Sequence, residues 1–328
     1  MIYGATGYSL GLAATAAKRA SLNFIIGGRS PSKVQALAHS LGVDYRVFSP
    51  TSPTTEIDAA ITGLTLFING AGPFQQSTLP FMDACIRSKV HYIDISAELD
   101  SFRAGESRDE DARRAGVMLV PAGAAGIEVV LDCLAGRVIE RTPKPVKVDQ
   151  VLNINGLLSR GTVATIRSSF GGVFKRVDGD LVPHQTPVMA SYDFGDGRGA
   201  LECFPSNDPQ ILTVWRATGV QNISSVCCKT GGDIPEGNLK DLPTGPSADE
   251  RAETPYHAAV VVQSEDGTIR SAIARLPNGY DLVAIGVVEA MKTILGDPNI
   301  IKPGFQTPYQ AFGSGYLNGL TGVEVTDL

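Results

Sequence analysis

Closely spaced glycines follow a short apolar run at the start of the chain, in the order Gly4-Ala5-Thr6-Gly7-Tyr8-Ser9-Leu10-Gly11. In doubly wound folds, a strand that ends in such a loop and continues as a helix presents backbone N–H groups to a pyrophosphate. The loop departs from G-x-x-G-x-x-G because Leu10 stands where the third glycine is expected, and the strand ahead of it has only three residues. The loop predicts a dinucleotide-binding fold. Because it departs from the usual pattern, the sequence leaves open whether the protein still uses a dinucleotide.

Strand and helix patterns alternate over residues 1–125, which predicts an α/β fold with a doubly wound parallel sheet. From about Asp149 the pattern changes to β-rich stretches separated by Gly, Pro and Asp, which predicts a second, mostly antiparallel sheet. An apolar helix over Tyr280–Leu295 is expected to pack on the first domain. The strands expected in the second sheet are Val148–Ile154, Val188–Phe194, Ile211–Arg216, Ile223–Cys228, Ala258–Gln263 and Ile269–Ala274.

The composition disfavours several classes of partner. A net charge of −6 gives no electrostatic reason to expect nucleic acid or an anionic membrane surface. There is no run of about 18 apolar residues, so no membrane span is expected. The five cysteines and four histidines lack metal-binding spacing, and the first residues already form strand and loop. We therefore expect a cytoplasmic protein with reduced thiols, no metal and no signal peptide.

The second predicted strand ends in Gly27-Gly28-Arg29-Ser30, and no Asp or Glu occurs between Leu22 and Leu41. Folds that choose NAD place a carboxylate at this strand end to bind the ribose hydroxyls, whereas an arginine can hold the 2′-phosphate of NADP. Arg29 therefore favours NADP(H) over NAD(H). The alternative interpretation is a solvated arginine at the start of a helix.

The turn Asn69-Gly70-Ala71-Gly72-Pro73-Phe74 follows the fourth predicted strand, where the crevice of a doubly wound sheet opens. Its glycines and proline suit a close approach of backbone to the nicotinamide half of a dinucleotide. The alternative is an ordinary strand-to-helix turn, and the spacing does not choose between the two.

Two carboxylates are candidates for proton transfer because they lie four residues apart: Asp94, near the end of the fifth predicted strand, and Glu98, after it. If they share the crevice, one of them has a raised pKa and acts as a general acid. The alternative is structural, with Asp94 capping a helix and Glu98 pairing with an arginine.

Taken together, these motifs resemble the saccharopine dehydrogenase-like reductases, and more closely the branch called trans-acting enoyl reductases. The resemblance covers most of the chain, although its C-terminal motifs are weaker. The motifs that carry it are Gly4–Ser9, Gly28-Arg29, Asn69–Phe74, Ala84-Cys85, His91–Asp94, Glu98, Gly161-Thr162, Gly279-Tyr280, Thr307-Pro308 and Gly313.

The resemblance implies a Rossmann domain over residues 1–125, completed by C-terminal helices over 276–328. It also implies an inserted sheet domain over 126–275 that shapes the site of a small-molecule substrate. The implied reaction is hydride transfer from NADPH, or its reverse, at an imine or a conjugated double bond. We further expect a homodimer through the inserted sheet.

The resemblance also assigns roles by position. Gly4, Thr6, Gly7 and Tyr8 would meet the pyrophosphate, and Arg29 would meet the 2′-phosphate. Asn69, Ala71, Gly72 and Pro73 would flank the nicotinamide. Tyr92, Asp94 and Glu98 would lie near the mouth of the crevice as catalytic residues. The chain departs from the family pattern at Leu10, Ser49, Ala97 and Val120-Pro121-Ala122.

Three functions follow from these observations. The first is an NADPH-dependent reductase of a C=N or C=C bond in a hydrophobic small molecule, in secondary metabolism. The second is a non-redox cyclase, isomerase or epimerase on the same scaffold, for which Leu10 and the short first strand signal a degraded cofactor loop. The third is a sensor that binds NADP(H) without turnover. Binding of NADPH separates the second function from the other two.

Overall fold

The computed structural model describes residues 1–168, 172–184 and 189–328. The chain divides into two compact units. The first unit comprises Met1–Val129 and Tyr280–Ala311, and the second comprises Val130–Gly279 and Phe312–Leu328. Each unit is built around one sheet.

Strands are short in the first sheet and longer in the centre of the second. In chain order the strands are β1 (Ile2–Tyr3), β2 (Ile26–Gly28), β3 (Tyr45–Val47), β4 (Leu66–Asn69), β5 (His91–Asp94), β6 (Met118–Val120), β7 (Pro145–Asn155), β8 (Phe174–Val177), β9 (Asp180–Pro183), β10 (Ala190–Asp193), β11 (Ala200–Pro205), β12 (Asn222–Thr230), β13 (Tyr256–Ser264), β14 (Ile269–Leu276), β15 (Gly304–Phe305) and β16 (Glu324–Asp327).

The helices alternate with the strands of the first unit and are sparser in the second. They are α1 (Tyr8–Arg19), α2 (Pro31–Leu41), α3 (Thr54–Ile61), α4 (Phe74–Ser88), α5 (Leu99–Ser107), α6 (Asp109–Ala115), α7 (Ile127–Glu140), α8 (Arg160–Ser168), α9 (Gln210–Thr218), α10 (Ala248–Ala252), α11 (Gly279–Gly296) and α12 (Pro308–Phe312). Short 3₁₀ turns cover Pro298–Ile300 and Ser314–Gly319.

The first sheet is parallel throughout and has the strand order β15-β6-β5-β4-β1-β2-β3. The chain runs outward from β1 to β3 and then returns to place β4 on the other side of β1. A switch point therefore lies between β1 and β4, which is where doubly wound folds bind ligands. The predicted Rossmann fold is confirmed.

The first strand is short but central. Its two residues pair with both neighbours, since Ile2 is in register with Ile26 of β2 and with Ile68 of β4. Tyr3 is buried, and its ring lies edge-on to Phe81 with the centroids 4.7 Å apart. The aromatic core around Tyr3 therefore supports the strand from which the glycine loop departs.

The second sheet has the order β10-β11-β12-β7-β13-β14-β16, with β8 pairing to β12 and β9 to β8. The pair β7–β12 is parallel and the other described pairs are antiparallel. The mostly antiparallel sheet is thus confirmed. Val188, where one predicted strand begins, lies outside the described residues, and the described part of that strand is β10.

The predicted strand over Ile211–Arg216 is wrong, because this segment forms most of helix α9. Its β-branched and aromatic residues favour a strand by composition. The helix buries Ile211 and Val214 on one side, and Gly219 closes it with a left-handed φ of 74°. The i, i+3 spacing and the terminal glycine therefore outweigh β propensity here.

The predicted helix over Tyr280–Leu295 is confirmed as α11. Within the ranges that the structure describes, neither α11 nor any other helix is long and apolar enough to cross a membrane.

Candidate functional site

The glycine loop connects β1 directly to α1. Gly4 has a φ of +88°, and a Cβ added to it would lie 2.9 Å from the backbone C and O of Gly70. Helix α1 begins after Gly7 without a side-chain cap and without an acidic residue in its first turn. The start of α1 is therefore a helix N-terminus of the kind that binds an anion such as a pyrophosphate.

Leu10, which replaces the third glycine, is buried on α1 with 1% of its surface exposed. A Cβ added to Gly70 would overlap Cδ1 and Cγ of Leu10. The larger side chain on the helix is thus accommodated because the turn after β4 carries none at this position. Gly70 is a site residue that the sequence did not predict, because spacing along the chain does not reveal which residue Leu10 contacts.

A cavity of about 250 Å³ opens where the glycine loop, the end of β2 and the turn after β4 meet. Most residues predicted to bind the cofactor line it. The lining residues are Tyr3, Gly4, Thr6, Gly7, Gly28, Arg29, Pro50, Gly70, Ala71, Gly72, Pro73, Gln76 and Ser77. None of these described residues is acidic. The glycine cradle, the N-terminus of α1 and the adjacent guanidinium fit a phosphorylated dinucleotide.

Arg29 lies directly after β2, is exposed, and makes no ion pair among the described residues. It shares the cavity wall with Pro50, beside which the Ser49 hydroxyl lies 3.0 Å from that of Thr51. Burial raises the pKa of the neighbouring Tyr3 to about 12, and the cationic Arg29 acts in the opposite direction. The end of β2 thus offers the positive charge of Arg29 to a ligand.

Two predicted cofactor residues, Tyr8 and Asn69, are not among the lining residues. The ring of Tyr8 lies edge-on to Tyr280 at the start of α11, with the centroids 5.1 Å apart. Asn69 is fully buried behind the turn, and its Oδ1 accepts a hydrogen bond of 3.1 Å from the backbone N–H of Ala71. Both therefore support lining elements from behind.

Asp94 is fully buried at the end of β5. Its carboxylate accepts hydrogen bonds from the backbone N–H and hydroxyl of Ser96, at 2.9 and 2.7 Å, and from the backbone N–H of Ala122 at 2.6 Å. Burial raises the pKa of Asp94, and these hydrogen bonds oppose the shift. Asp94 thus joins β5 to the turn after β6 and does not cap a helix.

Tyr92 is also fully buried, and its hydroxyl donates to Asp94 Oδ2 at 2.8 Å. The same hydroxyl accepts a hydrogen bond of 3.1 Å from Asn69 Nδ2. Burial, with the neighbouring charge of Asp94 adding to it, raises the pKa of Tyr92 well above its ordinary value. Tyr92 is therefore a neutral hydroxyl that links the two carboxyl-end positions of β4 and β5.

Glu98 differs from Tyr92 and Asp94 because it is partly exposed, at the position before α5. Its Oε2 accepts a 3.0 Å hydrogen bond from the backbone N–H of Ala97, and within the described ranges it forms no ion pair with an arginine. Burial raises the pKa of Glu98, and the charges of Asp94 and Asp100 raise it further. A carboxyl group of this kind holds its proton to higher pH than an ordinary glutamate.

Comparisons with known proteins bear on the fold and on the class of cofactor. Residues 1–120 match the family model described as the saccharopine dehydrogenase NADP binding domain. No curated protein sequence matches the chain. Among solved structures, a saccharopine dehydrogenase (L-Glu forming) from Saccharomyces cerevisiae is similar over 100% of this chain and 99% of its own, with a TM-score of 0.68 and 14% identity.

A second solved structure, an amine dehydrogenase from Mycobacterium smegmatis, is similar over 94% of both chains, with a TM-score of 0.52 and 11% identity. At such identities the structural likeness concerns the fold. The family model, which describes the NADP binding domain of a dehydrogenase, supports NAD(P)-dependent oxidoreduction in general. Residues 1–120 thus match the saccharopine dehydrogenase NADP binding domain, a match that supports a nicotinamide cofactor, and the chain shares the fold of saccharopine dehydrogenase.

Proposed function

We propose that this protein is an NADPH-dependent reductase of a C=N or C=C bond in a hydrophobic small molecule. The observation that carries the proposal is the cavity beside the glycine loop, which Arg29 lines and no acidic described residue lines. When bound there, NADPH supplies the hydride, and the protein supplies binding, orientation and a proton.

The chain's own residues divide the binding task. Gly4, Thr6 and Gly7, with the positive N-terminal end of α1, hold the pyrophosphate. Tyr8 braces this helix start against Tyr280. Arg29 pairs with the 2′-phosphate, which an acidic residue at this strand end would repel.

The turn after β4 receives the nicotinamide. Ala71, Gly72 and Pro73 line the cavity and present little side chain, so the ring can lie against the backbone. Asn69 holds this turn from behind through Ala71. The packing of Leu10 against Gly70 supports use of the cofactor. It shows how the fold accommodates a leucine in place of the third glycine, which is a departure on which the non-redox alternative depends.

Two observations bear on whether the reduced bond is C=N or C=C. The solved relatives are, by name, dehydrogenases of saccharopine and of an amine. Oxidation of an amine carbon and reduction of C=N are the two directions of one hydride transfer, whereas the likeness to the trans-acting enoyl reductase branch favours C=C. A panel of imines and conjugated enones, followed by loss of NADPH absorbance, tests turnover and separates a reductase from a sensor that only binds.

Reduction of C=N places the hydride on carbon and a proton on nitrogen, and we propose Glu98 as the proton donor. A donor must be protonated, so the rate should be full below the raised pKa of Glu98 and fall as pH rises through it. Glu98→Gln should remove this fall in rate at alkaline pH and slow turnover about 100-fold. The pH profile with the best substrate of the panel measures both effects.

The exposed Glu110, on α6, provides the matched control for this experiment. Glu110→Gln should retain the wild-type rate and pH profile. If the rate of Glu98→Gln still falls with rising pH as in the wild type, another group donates the proton.

Arg29→Ala should weaken NADPH binding about 30-fold and leave NADH binding unchanged, because only NADPH carries the 2′-phosphate that a charge-assisted hydrogen bond would hold. Fluorescence titration of the nicotinamide with both nucleotides measures this. Arg19, exposed in the last turn of α1, supplies the control, since Arg19→Ala removes the same charge outside the cavity lining. If Arg29→Ala weakens the binding of NADPH and NADH equally, Arg29 does not bind the 2′-phosphate.

We also propose that residues 126–275 select the substrate and that their sheet forms a homodimer. Sedimentation of the purified chain tests the second point, with a monomer at all concentrations as the contrary result.

A further inference from the structure

A continuous chain of buried side chains lies behind the turn after β4. We call Asn69, Ser77, Tyr92 and Asp94 the buried chain; each has at most 1% of its surface exposed. Ser77 and Ala71 also line the cofactor cavity. The buried chain therefore begins at the cavity wall and ends in the protein interior.

The order of donors and acceptors along the buried chain has a single arrangement. The carboxylate of Asp94 already accepts from Ser96 and Ala122, and it accepts the hydroxyl hydrogen of Tyr92. The oxygen of Tyr92 then accepts hydrogen bonds, and Nδ2 of Asn69 is a donor to it, beside Thr78. This leaves Oδ1 of Asn69 as the acceptor for Ala71, so the carboxylate fixes the orientation of the amide.

The other end of the buried chain holds Ala71 on both sides. Oδ1 of Asn69 accepts from the N–H of Ala71 at 3.1 Å, and the hydroxyl of Ser77 donates to its carbonyl oxygen at 2.7 Å. Nδ2 of Asn69 also donates to Ser77 at 3.1 Å. Side chains therefore fix both peptide groups around Ala71, the first residue of the segment that lines the cavity after Gly70.

We infer that Tyr92 and Asp94 are positioning residues, which hold Ala71-Gly72-Pro73 in the conformation that receives the nicotinamide. This inference rests on the proposed function. It replaces the catalytic roles expected for these two residues, because neither has exposed surface with which to touch a substrate and both are committed to the buried chain. Glu98 stays the candidate for proton transfer.

The test compares NADPH binding by the wild-type chain and by two variants. Tyr92→Phe removes the hydroxyl that joins Asn69 to Asp94, and Ser77→Ala removes one oxygen at the cavity end. Each should weaken NADPH binding about tenfold, because a fixed turn becomes a mobile one. Ser77→Ala is the smaller change and keeps the inference testable if Tyr92→Phe does not fold.

A double-mutant cycle distinguishes positioning from general destabilisation. Tyr92→Phe and Ser77→Ala act on one turn, so their combined effect on NADPH affinity should be smaller than the product of the single effects. Tyr92→Phe and Arg29→Ala act on different parts of the nucleotide, so their effects should multiply. As a control, Thr213→Val removes another hydroxyl that donates to a buried carboxylate, Asp132, in the second unit, and it should leave NADPH affinity unchanged.

The outcomes separate the inference from the proposed function. If the wild-type chain binds NADPH and both variants bind it equally well, the inference is overturned and the proposed function stands. If the folded wild-type chain binds no NADPH, the proposed function fails, and the inference fails with it. Weakened binding that multiplies fully across Tyr92→Phe and Ser77→Ala also overturns the inference.

Discussion

Gly4→Ala should abolish measurable NADPH binding and lower the free energy of unfolding. The new Cβ would lie 2.9 Å from the C and O atoms of Gly70, and both are backbone atoms that cannot rotate away. The φ of +88° adds strain for a residue with a Cβ. Relieving the overlap must separate the glycine loop from the turn after β4, which are two walls of the cavity. Nucleotide titration and thermal unfolding measure the two effects.

Gly63 provides a matched control for the strain alone. It has a φ of +84°, and an added Cβ would meet no atom within 4 Å. Gly63→Ala should therefore cost about 1 kcal/mol of stability and leave NADPH binding intact. If Gly4→Ala behaves like Gly63→Ala in both measurements, the close approach of the two walls is not required for binding.

Gly70→Ala should destabilise the first unit by about 1–3 kcal/mol and weaken NADPH binding, because its Cβ would overlap the buried Leu10 side chain. Leu10→Ala alone should cost about 2–5 kcal/mol by leaving a cavity. In the double variant the new methyl group occupies part of that space. The double variant should therefore be more stable than the sum of the two single effects predicts.

Chemical denaturation of the three variants measures this coupling. Gly296→Ala supplies the control, since an added Cβ there meets no atom within 4 Å, and its effect should simply add to that of Leu10→Ala. Strict additivity of Gly70→Ala and Leu10→Ala would mean that Leu10 does not depend on the missing side chain at Gly70.

The sequence predicts those features that are encoded by neighbouring residues. The glycine loop, Arg29 after β2 and the turn at Asn69–Phe74 are each local patterns, and the structure gathers most of their residues around one cavity. The alternation of strands and helices likewise predicts the parallel sheet. The segment Ile211–Arg216 shows the limit, because its composition favours a strand while its spacing and Gly219 produce a helix.

Features that depend on contacts between distant residues are not readable from one sequence. Leu10 looks like a defect until it is seen against Gly70, which lies in a different element. The spacing of Asp94 and Glu98 is that of a catalytic pair, but the two differ in exposure. Asp94 has no exposed surface, whereas Glu98 is partly exposed. The parallel pairing of β7 with β12 is likewise a long-range choice.

The most direct test of the account is a titration of the purified full chain with NADPH and with NADH, followed by nicotinamide fluorescence. The cavity beside the glycine loop, with Arg29 and no acidic described residue in its lining, predicts saturable binding of NADPH that is at least about tenfold tighter than binding of NADH. A folded chain that binds neither nucleotide, or that binds NADH as tightly as NADPH, would contradict it.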